Sequence, residues 1–138
     1  MARVLIVPCG CRGRALAATL RAEGHAVRGT TRGAHVEEIR ACGAEPYVGD
    51  PDRIGTLMDA LLGVAIVVWS TPPGLDTGRV RMFWEKLVDT GVRGVVHEGA
   101  GAEFARAGHE TWQIPLEVLG AHGSAGDAVA RLLGYTRS

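Results

Sequence analysis

Gly10 and Gly13, in the stretch Pro8-Cys9-Gly10-Cys11-Arg12-Gly13, are the residues through which this sequence can do chemistry. Glycine has no Cβ, so main chain at Gly10 can approach a phosphate closely, and Gly13 lets a helix pack tightly on the strand it has just left. The first N–H groups of a helix lack internal acceptors and lie at the positive end of its dipole, so an anion is the expected occupant. The spacing follows the dinucleotide fingerprint G-x-G-x-x-G except at its first position, where Pro8 replaces the glycine of the tight turn. Proline fixes φ at about −65° and removes a donor, so a different loop path is expected there.

The end of the next β-prone run, Ala26 to Thr31, bears on which dinucleotide is held. An acid about 20 residues past the glycine loop would bind the ribose 2′-hydroxyl of NAD, whereas an arginine accommodates the extra phosphate of NADP. The chain offers Thr30, Thr31 and Arg32, with no Asp or Glu. Arg12 or Arg14 can supply a second cationic contact, since a guanidinium fork suits phosphate oxygens. Cys11 completes the loop. NADP is therefore expected over NAD; the competing reading is that these arginines are simply solvated.

These residues need elements to place them. Val4 to Val7 is apolar and reads as a strand, Arg14 to Glu23 as a helix closed by Gly24, and Ala26 to Thr31 as a second strand, which together make a βαβ unit. Helices are predicted over Ala34 to Cys42, Asp52 to Leu62 and Asp76 to Thr90, and strands over Glu45 to Val48, Val64 to Trp69 and Val92 to His97. In the third of these helices Val80, Phe83, Trp84, Leu87 and Val88 share one face, and Met82 points the other way. A short helical stretch to Ala107, a sixth strand over Trp112 to Leu119 with Pro115 suited to an edge, and a helix from Ser124 to Leu133 complete the chain. Alternating strands and helices argue for an α/β fold: a doubly wound parallel sheet, the Rossmann fold, with about six strands in the order 3-2-1-4-5-6. The ligand crevice is then expected between strands one and four.

The 138 residues suffice for one domain, 1–138, and are too few for two. Fifteen basic and fifteen acidic side chains give zero formal charge, which argues against a protein that lives by neutralising nucleic-acid phosphates. No run approaches the roughly 20 apolar residues of a membrane span, and no basic region precedes an apolar signal segment, so a soluble, cytoplasmic protein is the expectation. Cys9, Cys11 and Cys42 are too few for a disulfide framework and have no histidine at metal-ligand spacing, so they read as packing residues with no metal site.

Val4 to Arg32, with Gly10, Gly13, the Glu23-Gly24-His25 helix exit and Arg32, resembles the start of the short-chain dehydrogenase/reductase superfamily in its atypical, epimerase-like branch. The likeness continues through Tyr47-Val48-Gly49-Asp50, Gly63 to Trp69 and Val92 to Glu98, and fades after about the first 100 residues. It implies that Asp50 touches the adenine amino group; Asp50 also reads as a cap or turn residue beside Pro51. Ser70 and Thr71 fall near the expected nicotinamide ribose, although Ser-Thr-Pro-Pro is equally a good strand terminator.

The resemblance further implies a tyrosine and a lysine four positions apart for proton transfer, and a helper serine or threonine after the fifth strand. Only Tyr47 and Tyr135 are present, Lys86 follows neither at that spacing, and Gly99 and Ala100 stand at the helper positions. Ser70 and His97 are the remaining proton-donor candidates. His97 and Glu98 end a strand and so face opposite sides, which argues against joint action and leaves a loop-bonding role open for His97. Such enzymes also carry a further C-terminal region over the substrate, so the expectation is a domain truncated relative to them, with any small-molecule substrate closed off by a partner subunit. A homodimer through the Asp76–Thr90 helix or the Trp112 edge is expected on that ground. Three readings follow: an NADP-binding domain with reduced or no catalysis, in a cofactor-binding or redox-sensing role; a working NADPH-dependent oxidoreductase or epimerase with a non-standard proton donor; and an interaction domain with an empty crevice.

Overall fold

In a computed structural model describing residues 2–135, strands β1 (Arg3–Val7), β2 (Ala26–Thr31), β3 (Glu45–Val48), β4 (Ile66–Ser70), β5 (Gly94–Glu98) and β6 (Leu116–Val118) form one sheet in the order β3-β2-β1-β4-β5-β6. Every neighbouring pair is parallel. The doubly wound α/β architecture expected from the strand–helix alternation is therefore present, and the order reverses between β1 and β4, where a crevice opens at the carboxyl ends of the strands.

Helices α1 (Cys11–Ala22), α2 (Val36–Ala41), α3 (Gly78–Leu87), α4 (Ala102–Trp112) and α5 (Ala125–Leu133) cover both faces. Side chains alternate along each strand, so Val4, Ile6, Val68 and Val96 pack with Leu20, Ile39 and Val129 on one face. Leu5, Val7, Val67, Trp69 and Val95 pack with Phe83, Trp84 and Leu87 on the other. Burial on both faces explains why the inner strands read as continuous apolar runs.

Two segments depart from the helical and strand periodicity. The predicted helix Asp52 to Leu62 is instead a pair of 3-10 turns, Ile54–Leu57 and Asp59–Leu61. The Thr56 hydroxyl bonds back to the Arg53 carbonyl at 2.7 Å and accepts from Asp50 N at 2.8 Å, a local alternative to helical pairing, and Gly55 adds little helix propensity. Arg28, nearly buried on β2, donates to the carbonyls of Ala60 at 2.6 Å and Leu62 at 3.1 Å and fixes the segment's end. Ile54, Leu57 and Leu61 still reach the core, whereas Leu62, on the predicted apolar face, is 68% exposed.

The predicted strand Trp112 to Leu119 shrinks to Leu116–Val118, because α4 continues past Ala107 to Trp112. Phe104, Ala105, Gly108 and Trp112 recur at helical spacing, and Gly108 lies so close to Trp84 that a Cβ there would meet its ring at 2.6 Å. Gln113, at φ 58°, ends the helix in the left-handed region. Pro115 precedes the edge strand and serves it only through its carbonyl, which accepts from Val95 N at 2.9 Å.

Candidate functional site

The crevice is built from the loop between β1 and α1. The Val7–Pro8 bond is cis. Cys9 N then donates to Thr30 O at 2.8 Å, and the Cys9 side chain fills the space above Gly29, where a Cβ would lie 2.7 Å from both Cys9 Cβ and Sγ. Gly29 was not singled out in the sequence, although a glycine inside a β-prone run signals a close approach. Burial, reinforced by the neighbouring Cys42 and opposed by Arg14, pushes the Cys9 thiol up to about 11, so it packs as a neutral group. Among the described residues no group of three or more His, Cys, Asp or Glu could hold a metal ion.

Gly10 is the N-cap of α1, with no side-chain cap bond and no acid in the first turn. The first intrahelical bond runs from Arg14 N to Gly10 O at 2.8 Å, so the N–H groups of Cys11, Arg12 and Gly13 precede it. A Cβ at Gly10 would meet nothing within 4 Å, whereas one at Gly13 would stand 3.0 Å from Ile6 Cγ2 and 3.3 Å from Pro8 O. Open space lies beside the first glycine and helix-to-strand contact beside the second.

Gly10, Cys11, Arg12, Gly13 and Ser70 line a cavity of about 330 Å³. A second, more polar one of about 680 Å³ adjoins it, and Thr71 lines it with the loop after β6, Leu119 to Ala121. Ligand pockets commonly span about 300–1,000 Å³. Arg12, Ser70, Glu98 and Leu119 border both. Arg12 Nη2 donates to Glu98 Oε2 at 2.8 Å, and Ser70 Oγ donates to Glu98 Oε1 at 3.3 Å. The guanidinium–carboxylate bond raises the Arg12 pKa further. Glu98, weighed in the sequence only for joint action with His97, pairs in register with Ser70, and residues in register on parallel neighbours share a face.

His97, one residue earlier, is fully buried on the opposite face and lines neither cavity. Its Nε2 lies 3.1 Å from the carbonyls of Gly99 and Ala100, so the bonded tautomer carries its proton on Nε2. Nδ1 has no partner among the described residues. Burial lowers the imidazole pKa, with the two carbonyl bonds opposing. Thr71 is tied by its Oγ1, which accepts from Trp69 Nε1 at 2.9 Å and donates to Ala100 O at 2.6 Å.

On the other side of β1, Thr31 Oγ1 accepts from Gly33 N at 3.1 Å and Arg32 Nε stands 3.4 Å from Asp50 Oδ1. Asp50 Oδ1 also accepts from Asp52 N at 2.9 Å, which is the turn role. A hollow of about 120 Å³ lies between Arg32, Asp52 and the Pro72–Leu75 loop. The Arg14 side chain, in the first turns of α1, has its Nη1 buried without a partner among the described residues.

Compared with known proteins, the chain matches no protein-family model and no curated protein. Among solved structures it is similar to Citrobacter sp. triphenylmethane reductase complexed with NADP(H), at a TM-score of 0.67 and 16% identity, over 85% of this chain and 48% of that one. A short-chain dehydrogenase/reductase superfamily protein from Agrobacterium tumefaciens with bound NAD gives 0.67 and 19%, over 84% and 47%. UDP-glucuronic acid 4-epimerase from Bacillus cereus, in complex with NAD, gives 0.68 and 12%, over 86% and 55%. The chain thus spans about half the length of these proteins. At such identities the likeness is one of fold alone, a Rossmann-like α/β fold.

Proposed function

We propose that this chain binds a nicotinamide dinucleotide along the carboxyl edge of its sheet, with the diphosphate at Gly10 and the N-terminus of α1. The observation that carries the reading is the open position beside Gly10, where main chain is bare at an uncapped helix start without a first-turn acid. That arrangement fits the group. The adenosine half then lies toward Arg32, Asp50 and the small hollow, and the nicotinamide half toward Ser70, Thr71 and Glu98.

NADP is the proposed form. Arg32 directly follows β2, where an acid would select NAD, and Arg14 on α1 carries an incompletely bonded guanidinium. Calorimetric titration with NADPH and NADH tests this. Saturation by NADPH at least tenfold tighter than by NADH is expected, and no saturation by either at millimolar concentration removes the reading.

Reduced or absent catalysis is the second part of the proposal. Tyr47 sits on edge strand β3, and Tyr135 Oη lies 2.7 Å from His25 Nε2, beside the N-terminal end of β2. Neither of them, nor Lys86, lines the two large cavities. The bound dinucleotide would supply hydride chemistry, but the groups around it are suited to hold it. NADPH oxidation across a panel of carbonyl substrates checks this; turnover would favour the oxidoreductase reading with Ser70 as donor. The proposal includes a homodimer through α3 and α4, whose groove of about 250 Å³ is lined by Trp84 and Trp112. Light scattering showing only monomer at high concentration contradicts it.

A further inference from the structure

Arg12 and Glu98 are the only charged side chains among the described residues lining the two adjoining cavities. Their charges cancel while they are bonded to each other, but the two groups are held very differently. Arg12 is 80% exposed and stands in the first turn of α1, where the helix dipole disfavours a cation. Glu98 is 21% exposed, fixed at the end of β5, with Ser70 Oγ on its second oxygen. A diphosphate at the helix start offers Arg12 a better partner within reach of a flexible side chain. Glu98 has nowhere to follow.

We propose that Glu98 makes this crevice discriminate between the oxidised and reduced forms of the dinucleotide, by acting as counter-charge to the oxidised nicotinamide once Arg12 has transferred to the diphosphate. The inference rests on the cofactor reading above. The oxidised ring carries a positive charge and the reduced ring none, so a carboxylate without its guanidinium attracts one and not the other. Arg12, Ser70 and Glu98 border both cavities, so the carboxylate stands where a ligand extending from Gly10 past Ser70 must go. An uncompensated charge at the rim of a partly aqueous cavity changes affinity for a cation by on the order of tenfold. The sensing role is thereby given a residue and a direction: the protein reports the oxidised form.

The test is the ratio of dissociation constants for NADP+ and NADPH, measured by calorimetry on the wild type and on Glu98→Gln, with 2′-phospho-ADP-ribose as the ligand that lacks the base. The wild type is expected to bind NADP+ about tenfold tighter than NADPH. Glu98→Gln should bring the two within about twofold and leave the base-free ligand as tight as before or tighter. Saturable binding of both forms with a ratio that Glu98→Gln leaves unchanged overturns the inference and spares the cofactor reading. Failure of all three ligands to saturate the wild type overturns the cofactor reading, and the inference with it. Glu98→Ala is the second variant, and circular dichroism verifies that each is folded.

Discussion

Arg12 and Glu98, 86 positions apart in sequence, meet at 2.8 Å and both line the two adjoining cavities of the crevice. The pair ties the helix start that follows β1 to the end of β5, across the point where the strand order reverses. As an exposed bond it adds little stability. Arg12→Gln is therefore expected to leave the melting temperature nearly unchanged while weakening NADPH several-fold, as a phosphate contact is lost. A melting temperature that falls by many degrees would show the pair to be structural.

Gly13 and Gly29 hold the loop by close packing. Gly13→Ala would press a Cβ on Ile6 and Pro8 O, and Gly29→Ala would drive one into Cys9 at 2.7 Å. Each is expected to cost about 1–3 kcal/mol, with Gly29→Ala the larger, and Cys9→Gly should restore part of the Gly29→Ala loss. Urea unfolding of the single and double variants measures this.

Arg28 is the charged group that matters most to stability. Its guanidinium holds the carbonyls of Ala60 and Leu62 and lies 3.0 Å from Glu45. Arg28→Met should destabilise by roughly 2–4 kcal/mol, because two carbonyls lose their donor in a site with little water. Arg32→Met, which breaks a partly exposed ion pair with Asp50, should change stability by less than about 1 kcal/mol yet cost NADPH about tenfold and NADH little.

Burial lowers the His97 pKa from 6.5, so this imidazole stays neutral in the folded chain at pH values where the unfolded chain takes up a proton. The unfolded state then binds more protons, and stability rises with pH in that window. His97 therefore contributes stability above about 6.5 that is lost as pH falls toward its depressed folded value. Thermal melts between pH 7.5 and 5 should show a decline that His97→Gln reduces. An unchanged decline would place its origin elsewhere.

Thiol labelling separates the loop's two cysteines. Burial pushes the Cys9 thiol up to about 11, while Cys11 is exposed at the start of α1. An alkylating reagent at neutral pH is expected to modify Cys11 in the native protein and Cys9 only on unfolding, as peptide mass spectrometry will show.

Much of the fold was legible because its signals are local and periodic. Continuous apolar strands, the left-handed glycines 24, 43 and 134 after helices, and strand–helix alternation fixed the topology. Two elements were misread where tertiary contacts override local pattern. The Thr56 hydroxyl and the Arg28 bonds to the Ala60 and Leu62 carbonyls hold the 54–62 segment out of a regular helix, and Gly108 packs α4 against Trp84. In the site, the glycine loop and the Arg32–Asp50 neighbourhood were visible as motifs. Glu98 was visible only as a strand-end residue beside His97; its pairing with Arg12 and Ser70 was not, because it comes from register with a strand distant in sequence.

The central claim is that a diphosphate lies against bare main chain at Gly10, and Gly10→Val tests it most directly. A Cβ there meets nothing within 4 Å and the residue's φ of −81° is open to any side chain, so the variant should fold with stability within about 1 kcal/mol of the wild type. Calorimetric titration with NADPH is expected to show saturation of the wild type and a loss of at least tenfold in the variant. Equal binding by the two proteins, or no binding by the folded wild type, would contradict the account.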